Sequence, residues 1–181
     1  MLIVEDGTGI AGAESYATVA DTDAYWAAQP QDALAAAWAA ATEASKEGAL
    51  RAASAYLDAI YGASYRGIRK GWEQGLEWPR TGGLDAAGDP LAVLGPGNVP
   101  LPALPPMLKR GAAELAPRAL SGPLAQDADR GGRVKREKIE GAVEVEYFDG
   151  APAETSYGVV AGILGPILDG SQGGQATWYW A

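Results

Sequence analysis

One stretch of this 181-residue chain combines β-branched residues, dense charge and a turn dipeptide: residues 133–150, RVKREKIEGAVEVEYFDG. Val134, Ile139, Val143, Val145, Tyr147 and Phe148 favour an extended backbone, and Glu140-Gly141 lets the chain reverse because glycine tolerates positive φ. The reading is a β-hairpin with Arg133, Lys135, Arg136 and Lys138 on one arm and Glu144, Glu146 and Asp149 on the other. Opposed arms attract, and the register depends on the loop. Three residues set Arg136 across from Glu144, while two set Lys135 across from Glu146 but Glu137 across from Glu144. A lone hairpin without a continuous apolar face is marginal in water, so this one must lean on a helical body or pair its edges with another chain.

The rest of the sequence supplies that helical body. Asp21 is expected to N-cap a helix running to Gln29 and ended by Pro30. Residues 31–42 are alanine-rich, with Leu34 and Trp38 at i, i+4, and form a helix or join the next one. Ser45, or Thr42 before it, caps the strongest helical pattern, residues 46–61. There Leu50, Ala53, Leu57, Ile60 and Tyr61 make an apolar stripe that Gly62 stops. Such a stripe serves as a core face more readily than as an aromatic ligand box.

Pro105-Pro106 opens another helix, since proline suits a first turn where its missing N–H is not needed. Its narrow face is Leu108, Gly111, Ala112 and Leu115, and Pro117 is expected to kink or end it. Tyr157, Val160, Ala161, Leu164 and Leu168 mark a closing helix whose last turn Pro166 disturbs. The fold class expected is therefore mainly α: a small helical bundle over residues 1–170 with the hairpin at 133–150 and a long loop at 82–98. Residues 171–181 form a C-terminal tail.

Composition excludes much chemistry. Without cysteine there are neither disulfides nor thiolate metal sites, and without histidine the commonest metal ligand and general base are missing. The pattern Asp127-x-Asp129 resembles the start of a calcium loop, but position twelve is Lys138 where a glutamate is required. No metal or cofactor is expected. Gly7-x-Gly9-x-x-Gly12 has the spacing of a dinucleotide loop, yet no long apolar helix or second strand follows, so a plain turn is the better reading. The net charge of −9 opposes autonomous nucleic-acid binding. No run of eighteen apolar residues is present and the N-terminus lacks a basic-then-apolar leader pattern, so a soluble protein with no membrane partner is expected.

Two features suggest contacts beyond the chain. In Leu76-Glu77-Trp78-Pro79-Arg80-Thr81-Gly82, proline holds Trp78 extended, so the indole is pinned into a core while Arg80 points elsewhere, as a structural neighbour or a subunit or ligand contact. Trp178, Tyr179 and Trp180 end an uncharged, glycine-jointed tail, and such a triplet folds back or docks into a partner's groove.

Taken in order, VEDGTGIAGAESYATVADTDAYWAAQ, KEGALRAASAYLDAIYG, LEWPRTG, PPMLKRGAAELAPRAL, VKREKIEGAVEVEY and YGVVAGILGPIL resemble the head–tail connector proteins of tailed phages over nearly the whole chain. The resemblance is to the adaptor family, some members of which carry the label DnaT-like single-stranded-DNA-binding protein. Pro117 and the long loop at 82–98 depart from the family's pattern. The resemblance implies a dodecameric ring under the portal, joining the filled capsid to the stopper or tail-completion protein and extending the channel through which DNA passes without specific binding. It further implies that the β element at 133–147 lies between subunits or faces the tail, that Trp178, Tyr179 and Trp180 insert into the portal, and that the protein is made in the host cytoplasm and ends in the virion. An acidic conduit fits this, because it repels the DNA backbone and lets it slide.

The DnaT-like label implies instead a single-stranded-DNA-binding module, which needs a basic groove with aromatic platforms. Only residues 65–72, YRGIRKGW, mix bases and aromatics well. Catalysis has even less to draw on. Glu73 and Glu77 stand four apart and share a face if helical, yet nothing converges on them, and no enzymatic activity is expected.

Overall fold

The computed structural model describes residues 1–84, 104–125 and 157–169. The expected hairpin at 133–150, the Asp127-x-Asp129 pair, residues 85–98 of the long loop and the aromatic tail lie outside the described residues. What is described is mainly α, as expected. The helices are α1 (Val19–Ala27), α2 (Ala33–Ala40), α3 (Glu43–Tyr61), α4 (Pro106–Ser121) and α5 (Gly158–Leu164). Single 3₁₀ turns follow α3 at Gly62–Ser64 and α5 at Gly165–Ile167. Two short strands, β1 (Ile68–Arg69) and β2 (Arg80–Thr81), pair antiparallel with Ile68 opposite Thr81 and Arg69 opposite Arg80. This pair is separate from the hairpin expected at 133–150.

Helix α3 carries the core. Its stripe residues Leu50, Ala53, Leu57 and Tyr61 are buried and Ile60 packs at the edge. Against it lies α4, with Leu108, Gly111, Ala112 and Leu115 all buried. A Cβ on Gly111 would stand 3.5 Å from side-chain carbons of Leu57 and Leu164, so the bare backbone lets three helices converge there. Full burial of each such leucine contributes about 1.5–3 kcal/mol, which is what holds short helices of modest intrinsic stability.

Three boundaries differ from expectation for physical reasons. Thr18, not Asp21, caps α1; its hydroxyl accepts from the Asp21 N–H at 2.9 Å while the Asp21 carboxylate accepts from the Thr18 N–H, a reciprocal capping box, and the helix ends at Ala27. Thr42, one of two candidates, caps α3, which therefore starts at Glu43. Gly62 does end α3 but in right-handed geometry, and its lack of a side chain serves Glu77, whose Cγ would lie 3.0 Å from an added Cβ.

The clearest correction concerns Pro117, which does not end α4: the helix continues to Ser121. Proline removes the N–H that would bond the carbonyl four residues back, here Ala113. That carbonyl accepts instead from the Trp26 indole Nε1 at 2.9 Å. A side chain of α1 thus supplies the donor that α4 lacks.

Candidate functional site

The glycine-rich N-terminal loop is a closed turn built on an acid. Glu5 is buried, and its carboxylate accepts from the N–H groups of Gly7 at 2.8 Å, Gly9 at 2.9 Å and Ile10 at 2.9 Å. Gly7 and Gly9 sit at φ 98° and 92°, which is why glycine recurs at that spacing. The amides that would cradle a phosphate already hold this chain's own carboxylate, so the turn reading stands and the nucleotide reading falls.

Residues 62–84 fold onto that loop into a corner beyond the C-terminal end of α3. The Gly75 N–H donates to Ile10 O at 3.0 Å, and Lys70 Nζ reaches Thr8 O at 3.2 Å. Gln74 is buried inside the turn, its amide nitrogen donating to Leu76 O at 2.8 Å and Pro79 O at 3.1 Å, its amide oxygen accepting from the Gly71 N–H at 3.0 Å. Trp78 is fully buried as expected, edge-on to Tyr65, and is followed by a cis peptide to Pro79.

Beneath Trp78 the Tyr16 hydroxyl donates to Asp58 and accepts from the Trp78 N–H, while the second Asp58 oxygen accepts from the Glu77 N–H at 2.9 Å. Burial pushes the Asp58 carboxyl up to about 6, with the neighbouring Glu77 charge adding to the rise and the Tyr16 hydrogen bond opposing it. Burial and the Asp58 charge likewise push the Tyr16 phenol above its ordinary value.

Arg80 is the only one of the interface residues expected from sequence that falls among the described residues. Its guanidinium turns into its own corner, donating to Gly67 O at 3.1 Å, Gly62 O at 3.2 Å and Glu77 Oε2 at 3.0 Å, and it stacks over the Tyr65 ring. Within its own chain it holds the turn around Trp78. Arg133, Lys135, Arg136, Lys138, Glu144, Glu146, Trp178, Tyr179 and Trp180 lie outside the described residues. Glu73 and Glu77 do not share a helical face, because residues 70–79 form turns; Glu77 instead bridges Arg69 at 3.4 Å and Arg80.

The basic side chains of residues 65–72 are similarly committed. Arg66 Nε donates to Leu168 O at 2.8 Å and a terminal nitrogen to Leu84 O at 3.3 Å, while Arg69 donates to Gln74 O at 2.8 Å. Of the nine Lys and Arg side chains among the described residues, eight make an ion pair or a carbonyl hydrogen bond within the chain, Arg110 being the exception.

Two surface features were not foreseen. Trp72 is 86 % exposed at the tip of the stapled turn, above a shallow concavity lined by Thr8, Gly9, Lys70 and Gln74. The sequence signal was a tryptophan between two turn glycines, Gly71 and Gly75. At the other end of α3 an apolar concavity of about 460 Å³ opens between α1 and α2, floored by Trp26 and Trp38 and walled by Pro30, Ala36 and Ala39. Asp23 stands at its rim, accepting from Trp38 Nε1 at 2.7 Å and pairing with Lys46 at 2.8 Å. Burial pushes the Asp23 carboxyl up, but those two donors more than offset it and hold it below the ordinary carboxylate value.

Among the described residues no group of three or more acids forms a metal site, and no helix is long and apolar enough to cross a membrane. The fold and surface define a small, mainly α protein whose internal charges are spent on holding a turn-rich corner to a helical core. The family described as "Putative DnaT-like ssDNA binding protein" matches residues 1–179, and the chain belongs to that family. No curated protein and no solved structure matches it.

Proposed function

We propose that this protein is a virion structural component, a head–tail adaptor that joins the portal to the stopper or tail-completion protein and lengthens the DNA channel. The observation that carries this reading is the commitment of the body's cations. A protein that grips single-stranded DNA gains most of its affinity from Lys and Arg presented to phosphates. Among the described residues eight of nine such side chains already serve internal partners, and the whole chain carries −9. A surface of this kind lets DNA pass without holding it.

The described body also brings distant parts of its own chain together at two points. Arg66 holds the carbonyls of Leu84 and Leu168 against one guanidinium. The Tyr157 hydroxyl donates to Leu124 O at 3.3 Å. That arrangement suits a subunit that contacts neighbours through its hairpin at 133–150 and the portal through Trp178, Tyr179 and Trp180. The work is mechanical and adhesive rather than catalytic.

The second reading is the single-stranded-DNA-binding module that the family's description names, favoured by Trp72 exposed beside Lys70. One stacking platform beside one lysine is a small part of such a groove. Electron microscopy of the full chain mixed with a portal ring from the same particle tests both. A ring seated on the portal, lost when residues 178–180 are deleted, is expected. A monomer that ignores the portal and shifts single-stranded oligonucleotides at moderate salt overturns the adaptor reading in favour of the second.

A further inference from the structure

We propose that the tip of the stapled turn is a cation site, where the exposed face of Trp72 and the carboxylate of Glu73 together take an arginine or lysine side chain from a basic segment of a partner protein. The inference stands apart from the adaptor reading.

The ligand is selected by which groups around the tip are still free. The concavity beside Trp72, about 270 Å³, is lined by Thr8, Gly9, Lys70, Gly71, Glu73 and Gln74. Gln74 is buried and spends its amide on Gly71, Leu76 and Pro79. Lys70 Nζ donates to Thr8 O at 3.2 Å, and the Thr8 hydroxyl donates to Asp6 at 2.6 Å. Glu73, by contrast, is exposed and makes no ion pair or side-chain hydrogen bond among the described residues. The indole of Trp72, 86 % exposed, and the Glu73 carboxylate are what remain to meet a ligand.

Both attract the same charge. An indole face is the negative side of its quadrupole and draws a cation, a guanidinium most often. A carboxylate pairs with that same group, whose planar fork can lie on a ring while its edge donates to an oxygen. The Lys70 ammonium does not cancel this. Hydrogen bonds from Thr8, with the Lys70 charge adding to them, hold the Asp6 carboxyl below its ordinary value, so Asp6 stands beside Lys70 as an anion that offsets it. The tip therefore keeps the negative charge of Glu73, on a chain carrying −9. A nucleic-acid strand stacked on Trp72 would instead bring its phosphates beside an unpaired carboxylate.

The tip is also held ready. The Lys70 N–H donates to Pro79 O and the Gly75 N–H to Ile10 O, each at 3.0 Å, so the turn that presents Trp72 loses little freedom on binding. Tryptophan on such a support is among the side chains that most often dominate a protein interface.

The test uses full-length protein labelled with 5-fluorotryptophan, the Trp72 signal being the one of six that Trp72→Phe removes. It is followed by fluorine NMR during titration with a blocked glycine–arginine–glycine peptide, with the same peptide carrying citrulline, and with a short oligothymidylate. The arginine peptide is expected to shift the Trp72 signal saturably, with a Kd on the order of millimolar for so small a probe, and the uncharged citrulline peptide to leave it in place. Glu73→Gln is expected to weaken the arginine peptide at least about threefold with the thermal melt unchanged. An equal shift from the citrulline peptide overturns the proposal by removing the charge from recognition, and so does a Trp72 signal that no peptide moves. A shift by oligothymidylate that Glu73→Gln tightens overturns it in favour of the single-stranded-DNA reading.

Discussion

The α3–α4 half of the molecule and the corner at residues 62–84 are both tightly closed, but by opposite means. Where α3 meets α4 and α5, leucines pack on glycine and alanine, and even a Cβ added at Gly111 would stand at ordinary van der Waals distance from Leu57 and Leu164. In the corner, backbone touches backbone, and side-chain amides, carboxylates and guanidinium groups satisfy most of the polar groups that this brings inside, Arg69 Nε and Trp78 Nε1 finding no partner among the described residues. Apolar packing tolerates small changes of shape, whereas a satisfied polar network has little slack. The difference is measurable.

The largest effect is expected from Gly75→Ala. A Cβ there would stand 2.5 Å from Ala13 O and 2.9 Å from Ala13 N, both backbone atoms, so the corner must part from the N-terminal loop. A loss of about 3 kcal/mol or more in urea unfolding is expected; a loss under about 1 kcal/mol would mean the corner is as adaptable as the helices. Next comes Trp26→Phe, which orphans the Ala113 carbonyl at a cost of about 1–3 kcal/mol. With Pro117→Ala the backbone regains its own donor, and most of that cost should vanish in a double-mutant cycle. Additive losses would refute the exchange of donors.

A smaller effect follows from pH. Asp58 binds its proton more tightly folded, at about 6, than unfolded, near 3.8, so its contribution to stability is present at low pH and lost as pH rises through 6. Stability should therefore rise by about 1 kcal/mol between pH 7 and pH 5, and Asp58→Asn should flatten that rise. Smallest of all is Gly111→Ala, in the helical half. The added methyl meets Leu57 and Leu164 at 3.5 Å, and the gain in helix propensity is about 1 kcal/mol at most, so stability should change by less than that in either direction.

The same division decides how much of the molecule was legible in the sequence. Helix α3 was readable because Leu50, Ala53, Leu57 and Tyr61 repeat locally at the helical period, and the start of α4 because proline suits only certain positions. The Thr18 cap was missed because Thr18 and Asp21 both satisfy capping preferences and only the reciprocal bonds separate them. The continuation of α4 past Pro117 was not legible, since the compensating donor lies 87 residues before the Ala113 carbonyl it serves. In the corner, the buried Trp78 was foreseen, but the inward turn of Arg80 depended on carbonyls at Gly62 and Gly67 that no local pattern announces. The glycine spacing at Gly7 and Gly9 was readable as a turn, though not the Glu5 carboxylate that fills it.

The bond from Trp26 to Ala113 sets a preferred order for evolutionary change. Replacing Pro117 first is safe, because the new residue brings its own N–H and the indole becomes dispensable. Losing Trp26 first strands a buried carbonyl and is selected against. Lineages should therefore pass from the tryptophan–proline pair through tryptophan without proline, and sequences with proline but no donor at position 26 should be rare.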